Sequence, residues 1–163
     1  MKTFSDKNGR TWSITVNVGT MKRVRSLCGI DLFNIIELDK NQNPKTDVLE
    51  KLTTDPILLV DVIYAACKDE ADKLGISDED FGRAMSGDTI DAATTALLDE
   101  IVDFFPAAKR QVFLKVLTAS RRFKAAAEKQ LAAILNDESL DKKLEAAMEK
   151  AFGSVTDMPE SSD

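Results

Sequence analysis

The sequence predicts a mainly α-helical fold that opens on a β-hairpin, and three observations predict it. Apolar residues alternate with polar ones over the first eighteen positions around an Asn8-Gly9 turn, the period of a half-buried strand. Beyond Gly19 they recur every three or four residues, the period of a helix. Sharp start and stop signals, Asp55-Pro56 and Gly75 above all, punctuate that pattern at spacings that helices require.

Taken in order, Phe4 precedes the DKNGR turn, and Trp12, Ile14, Val16 and Val18 then alternate, which predicts a hairpin over 1–18. Met21, Val24, Leu27 and Cys28 share a helical face, with Gly29 placed as a C-terminal cap that tolerates positive φ. A second short helix is expected from Asp31 to Leu38, then a polar loop over DKNQNPKT, then a short helix around Val48 to Leu52 capped by Thr46 or Asp47. Asp55 accepts bonds from orphan amides while Pro56, at the first helical position, has no N–H to leave unpaired. That helix is expected to run to about Leu74, with Leu59, Val62, Ile63, Ala66 and Cys67 spread widely enough for a largely buried central position. Ser77 and Asp80 open a short helix carrying Phe81 and Met85. A long helix follows from Asp88, with Ile90, Leu97, Ile101 and Phe104 on one face, until Pro106 ends it. A further long helix is expected over 107–136 with Val112, Val116, Phe123, Leu131 and Ile134 in helical spacing. A last one starts at Ser139 with Leu140, Leu144, Met148 and Phe152 every four residues. The expected organisation is one domain over 1–153, made of the hairpin, a helical core over 20–106 and C-terminal helices over 107–152. Residues 154–163 are expected to form a disordered tail.

Length and composition narrow the function. A chain of 163 residues with 44% hydrophobic and 31% charged residues suits one domain able to bury a core without metal or disulfide staples. No apolar run approaches a membrane span, and MKTFSDKNGR lacks the apolar stretch of a signal peptide, so a cytosolic protein with no membrane partner is expected. Cys28 and Cys67 fit no metal spacing and read as buried thiols. Charge is uneven: residues 55–108 carry thirteen Asp/Glu against three Lys/Arg, whereas 1–54 carry six against nine and 109–163 nine against ten. An acidic centre disfavours phosphate backbones, so no nucleic-acid partner is expected.

Reactive constellations are scarce. The chain has no histidine, which removes Ser-His-Asp and Cys-His catalysis and His-based zinc or di-iron sites. No glycine-rich phosphate loop occurs. Carboxylate pairs such as Asp99 with Glu100 or Asp78 with Asp80 read as helix-start and surface groups. No catalytic residue, metal or cofactor is expected, and the chain is read as no enzyme. Asp39, Asn41, Asn43, Asp47 and Glu50 match the oxygen positions of a calcium loop, but Pro44 stands where that loop needs glycine. An ordinary polar loop is expected there.

The candidate residues for partner binding are Phe105, Lys109, Arg110, Arg121, Arg122 and Phe123, aromatic and basic groups at the start of and along the long C-terminal helix. Pairing with the acidic middle third, within or between subunits, is the first use expected of the charges. The apolar stripes from Lys109 to Phe152 suit a partner helix, although the ordinary expectation is that such stripes face the core. The hairpin also offers an edge strand for pairing between subunits, which leaves a homo-oligomer open.

Taken together, NGRTWSITVNV, TMKRVRSLCGIDL, DPILLVDVIYAAC and GISDEDFGRAMSGDTIDAATTALLDEIVDFF resemble the phage tail assembly chaperones of long-tailed phages and prophages, over about residues 4–105. The resemblance implies a mostly helical, self-associating protein in the host cytoplasm that binds the tape measure protein and helps tail tube subunits polymerise around it. It implies no site residue by motif. A minor tail or connector protein is the alternative, and a small cation-binding regulatory protein a further one.

Overall fold

The structure, a computed structural model, describes residues 1–136 and 138–153; the tail expected over 154–163 lies outside the described residues. The fold is mainly α, with an N-terminal hairpin, as the sequence predicts. The chain divides into two compact units, Met1–Val116 and Leu117–Asp163, where a single domain to residue 153 was expected.

In the first unit, β1 (Lys2–Ser5) pairs antiparallel with β2 (Thr11–Ile14), Phe4 opposite Trp12. The turn between them is built on a buried carboxylate. Asp6 Oδ1 accepts from the amides of Asn8 and Arg10 at 2.9 Å each, and Oδ2 accepts from the Trp12 indole Nε1 at 3.0 Å. Gly9, at φ 76°, supplies the left-handed residue this turn needs. Strand β2 ends before Val18, expected at its end, because the Asn17 side chain accepts from the Thr20 amide and starts helix α1 (Val18–Cys28) there. Val18 is consequently exposed. So is Leu27 on α1, whereas Met21 and Val24 reach the core.

After Gly29, which ends α1 in the left-handed region, the helix expected over 31–38 is replaced by one 3-10 turn, Leu32–Asn34. A two-residue strand follows, β3 (Glu37–Leu38), paired antiparallel with β4 (Pro44–Lys45). Asp39 holds the connecting loop through the amides of Asn41 and Asn43, each at 2.8 Å. Its carboxyl lies below the usual carboxylate range, the Asn43 amide being the main cause. The residues resembling a calcium loop thus close a hairpin, and Pro44 sits in its strand. Among the described residues no three His, Cys, Asp or Glu side chains converge as metal ligands would.

Helix α2 (Asp47–Thr54) leads into α3 (Pro56–Leu74), whose start follows the Asp-Pro logic: Asp55 accepts from the amides of Ile57 and Leu58. Helix α3 is central, touching α1, α2, β2, α4 (Asp78–Arg83) and α5 (Asp88–Phe104). Ser77 caps α4 by accepting from the Asp80 amide. Phe81 of α4 then gathers an aromatic cluster: its ring lies 4.8 Å from Trp12, 5.4 Å from Tyr64 and 6.5 Å from Phe4. Tyr64 remains satisfied by donating its hydroxyl to the Ile76 carbonyl.

The hairpin is not the free edge the sequence suggested. Glu70 of α3 accepts from the Ser13 amide at 2.9 Å, and Cys67 Sγ donates to the Ser13 carbonyl at 3.7 Å. Both backbone polar groups of Ser13, in the middle of β2, are therefore taken by α3, while β1 packs on α5. Beside them the buried Glu100 carboxylate accepts from the Val16 amide at 3.4 Å and lies 2.8 Å from the Met1 ammonium.

Burial works to raise the Asp6 pKa, but the hydrogen bonds from Trp12, Arg10 and Asn8 and the Arg10 charge outweigh it and hold it below the usual carboxylate range. A group lowered in the folded state stabilises the fold at any pH above its unfolded value of roughly 4 and loses that contribution as pH falls through the folded value. Asp6→Ala is expected to cost about 3 kcal/mol of unfolding free energy at neutral pH, measured by urea denaturation. In the same measurement at pH 3 the gap between variant and wild type narrows.

Candidate interaction surface

Helix α6 (Ala107–Leu135) begins one residue after Pro106, which prevents α5 from continuing. Its first turn belongs to the first unit and carries two of the six candidate residues, Lys109 and Arg110, while a third, Phe105, caps the end of α5 just before it. Phe105 is 1% exposed; its ring stacks on Phe113 at 4.9 Å and meets Phe104 at 5.3 Å and Phe33 at 5.5 Å. Phe105 is therefore a core residue rather than a contact for a partner.

Lys109 and Arg110 are likewise engaged by the fold. The Lys109 ammonium donates to the Phe33 carbonyl at 3.0 Å and sits 4.3 Å from the centroids of both Phe33 and Phe105, within cation–π range of each. Burial pushes Lys109 below the ordinary lysine pKa, with the Glu37 and Asp31 charges acting in the opposite sense. Arg110 donates through Nη2 to the carbonyls of Asp103 and Phe105, each at 3.1 Å, and through Nε to Phe105 at 3.3 Å. It thereby satisfies carbonyls that the end of α5 leaves without helical partners. Ala108, Lys109, Val112 and Phe113 also form one wall of an open cleft of about 560 Å³, whose other wall is Asn34, Ile36, Glu37 and Leu38. Its size suits a small ligand, but the one ammonium in it is spent on Phe33.

The other three candidates lie in the second unit and behave differently. Arg121, Arg122 and Phe123 are exposed, Phe123 at 80%. Every described side chain from 118 to 136 is exposed, although this stretch keeps an amphipathic order. Phe123, Ala127, Leu131 and Ile134 fall on one face at helical spacing, and Leu131 and Ile134 are both more than half exposed. Helix α7 (Glu138–Phe152) repeats the arrangement with Leu144 and Met148, also more than half exposed, while Leu140 is half-buried. The expectation that these stripes face the core is corrected here. Large apolar side chains at regular spacing in water mark an interaction surface more often than an idle one.

The missed feature is this separation, and its signal was present. From Thr118 to Asn136 the apolar positions include six alanines but few large groups besides Phe123, Leu131, Ile134 and Leu135, too little volume for the interior of a domain. Both cysteines were expected to be buried, but only Cys67 is, and Cys28 is half-buried; burial pushes Cys67 up to about 12 and raises Cys28 as well. No family model, no curated protein and no solved structure matches this chain.

Two outcomes follow from this division. Phe105→Ala is expected to cost about 3–5 kcal/mol of stability, whereas Phe123→Ala stays within about 0.5 kcal/mol, both read from urea unfolding monitored at Trp12. Neither native cysteine is expected to react with a thiol reagent at pH 7 at the rate of a free cysteine, and both react once urea unfolds the chain.

Proposed function

We propose that this chain is a non-enzymatic assembly chaperone for a phage tail, binding the helical tape measure protein and promoting tail tube assembly in the cytoplasm of the host cell. The observation that supports it is the contrast between the two units. The first buries most of its large apolar side chains and exposes others singly, such as Val18, Leu27, Ile57 and Leu74, whereas the second presents large apolar side chains outward at helical spacing. A protein whose task is to cover another helix before assembly needs such a face.

Helix-in-groove and helix-on-helix recognition use anchors three and four residues apart, which is the spacing of Phe123, Ala127, Leu131 and Ile134 on α6 and of Leu140, Leu144 and Met148 on α7. The histidine-free composition and the engagement of Lys109, Arg110 and Asp39 in structural hydrogen bonds agree with a role in binding rather than chemistry. Among the described residues, no helix is long and apolar enough to cross a membrane.

Co-expression with the tape measure protein, followed by affinity capture and measurement of soluble yield, tests the reading. A stable complex and a gain in soluble tape measure protein are expected. The double substitution Leu144→Glu with Met148→Glu is expected to reduce recovery about tenfold or more without changing urea stability at Trp12. Absence of any complex contradicts the reading, and stoichiometric presence in purified virions favours a structural tail component instead.

A further inference from the structure

The turn of the first hairpin carries a reactive pair that its own hydrogen bonds restrain. Asn8 is the one asparagine in the chain followed by glycine. Glycine has no Cβ and leaves the backbone free to fold back, so its amide nitrogen reaches the carboxamide carbon of the preceding asparagine with least hindrance. The other asparagines precede Val18, Ile35, Gln42, Pro44 and Asp137. Each of those places a side chain in the way, and Pro44 has no N–H with which to attack.

Water reaches the pair. Asn8 and Gly9 are exposed, as are Lys7 and Arg10 beside them, and a Cβ built at Gly9 would meet nothing within 4 Å. Packing therefore does not shield these residues, and what restrains them is hydrogen bonding. Every amide from Asp6 to Arg10 is donated. Asp6 donates to the Arg10 carbonyl at 2.8 Å, Lys7 to the Ala84 carbonyl at 3.2 Å and Gly9 to the Asp6 carbonyl at 2.9 Å, while Asn8 and Arg10 donate to Asp6 Oδ1 at 2.9 Å each. The Gly9 amide cannot hold the Asp6 carbonyl and attack the Asn8 side chain at once.

The reaction open to the pair is intramolecular and consumes only water. The Gly9 nitrogen gives its proton to solvent base and bonds to Asn8 Cγ, the side-chain amide leaves as ammonia, and a succinimide ring closes. Water then opens that ring at either carbonyl, giving aspartate or, with the chain rerouted through the side-chain carboxyl, isoaspartate. No electrons are exchanged. Rerouting lengthens the backbone by one carbon between residues 8 and 9, so the amides that follow no longer meet Asp6 at their old spacing. The new carboxylate also lies in the turn that Asp6 organises, like charge near like charge.

We propose that Asn8 is a site of spontaneous deamidation that the closed Asp6 turn holds back, so that modification proceeds through local opening of the turn and, once made, prevents the turn from closing as before. The proposal stands on the first unit alone and is independent of the assembly-chaperone reading.

The full chain, held in mildly alkaline buffer, digested and followed by mass spectrometry at the peptide containing Asn8, tests it. In urea that unfolds the chain, Asn8 is expected to convert faster than the other asparagines. In native buffer its conversion is expected to be slower by about tenfold or more, the protection that a closed, hydrogen-bonded segment gives. Asp6→Ala is expected to remove most of that protection in native buffer, whereas Phe105→Ala, which lowers stability without touching the turn, leaves it in place. If Asp6→Ala fails to fold by circular dichroism, Asp6→Asn takes its place; it keeps an oxygen for the amides, sets a donor against the Trp12 indole, and is expected to accelerate conversion likewise. Wild-type chain enriched in isoaspartate at position 8 is expected to unfold at lower urea, read at Trp12. Equal rates in native buffer and in urea overturn the proposal, as does an Asn8 that converts in neither. It is equally overturned by an Asp6 variant no faster than Phe105→Ala, or by modified chain that keeps the wild-type urea midpoint.

Discussion

The buried carboxylate of Asp6 is the constraint from which the rest of the first unit follows. Its two oxygens collect the amides of Asn8 and Arg10 and the Trp12 indole, so that the turn and the largest side chain of the hairpin are fixed by one group. A fixed Trp12 presents its ring to Phe81, and Phe81 in turn draws in Tyr64 from α3 and Phe4 from β1. The hairpin so oriented brings Ser13 to Glu70 and Cys67, which closes its outer edge. Unpaired, Asp6 would be a charge left in an apolar interior, and such groups are costly; surrounded by donors, it specifies one register of two very short strands.

The second unit is governed by the opposite condition. Its helices have regular spacing, strong helix-forming composition and charges of both signs, but from residue 118 to 136 no side chain is buried. Helices of that kind gain most of their stability from whatever covers their apolar face. The first unit packs most of its aromatic rings on one another, whereas in the second the Phe123 ring is 80% exposed. The proposed role in tail assembly draws on the second unit, through the outward rows of α6 and α7.

How much of this the sequence disclosed depends on the range of the interaction concerned. Asp55-Pro56, Gly75, Ser77 and Pro106 are local signals, and α3 begins and ends, α4 begins and α5 ends where those residues say they do, whereas α4 stops at Arg83, short of the Met85 it was expected to carry. The hairpin was legible because Asn8-Gly9 and a period of two act over a few residues. The strand β3 was not, since two residues paired with two others across a five-residue loop carry no period of their own, and Asp31 to Leu38 then resembles a short helix. Nor was the closed edge of β2, because Ser13 and Glu70 lie 57 positions apart. The candidate residues divided for the same reason. Basic and aromatic character was visible at all six, whereas the burial of Phe105 on Phe113 and the hold of Phe33 on Lys109 exist only once distant elements meet. Periodicity announced that α6 has an apolar face and was silent on what that face touches.

The central claim is that the two units do not share one cooperative core, and the chain supplies its own pair of reporters. Trp12, the one tryptophan, sits at the centre of the first unit, while far-ultraviolet circular dichroism sums the helices of both. Urea unfolding followed by both signals on the same dilute sample decides the matter. The expected result is that helical signal begins to fall before Trp12 fluorescence changes, because α7 and the later part of α6 melt without disturbing the Asp6–Trp12 turn. Two curves that superimpose from start to finish would contradict the account.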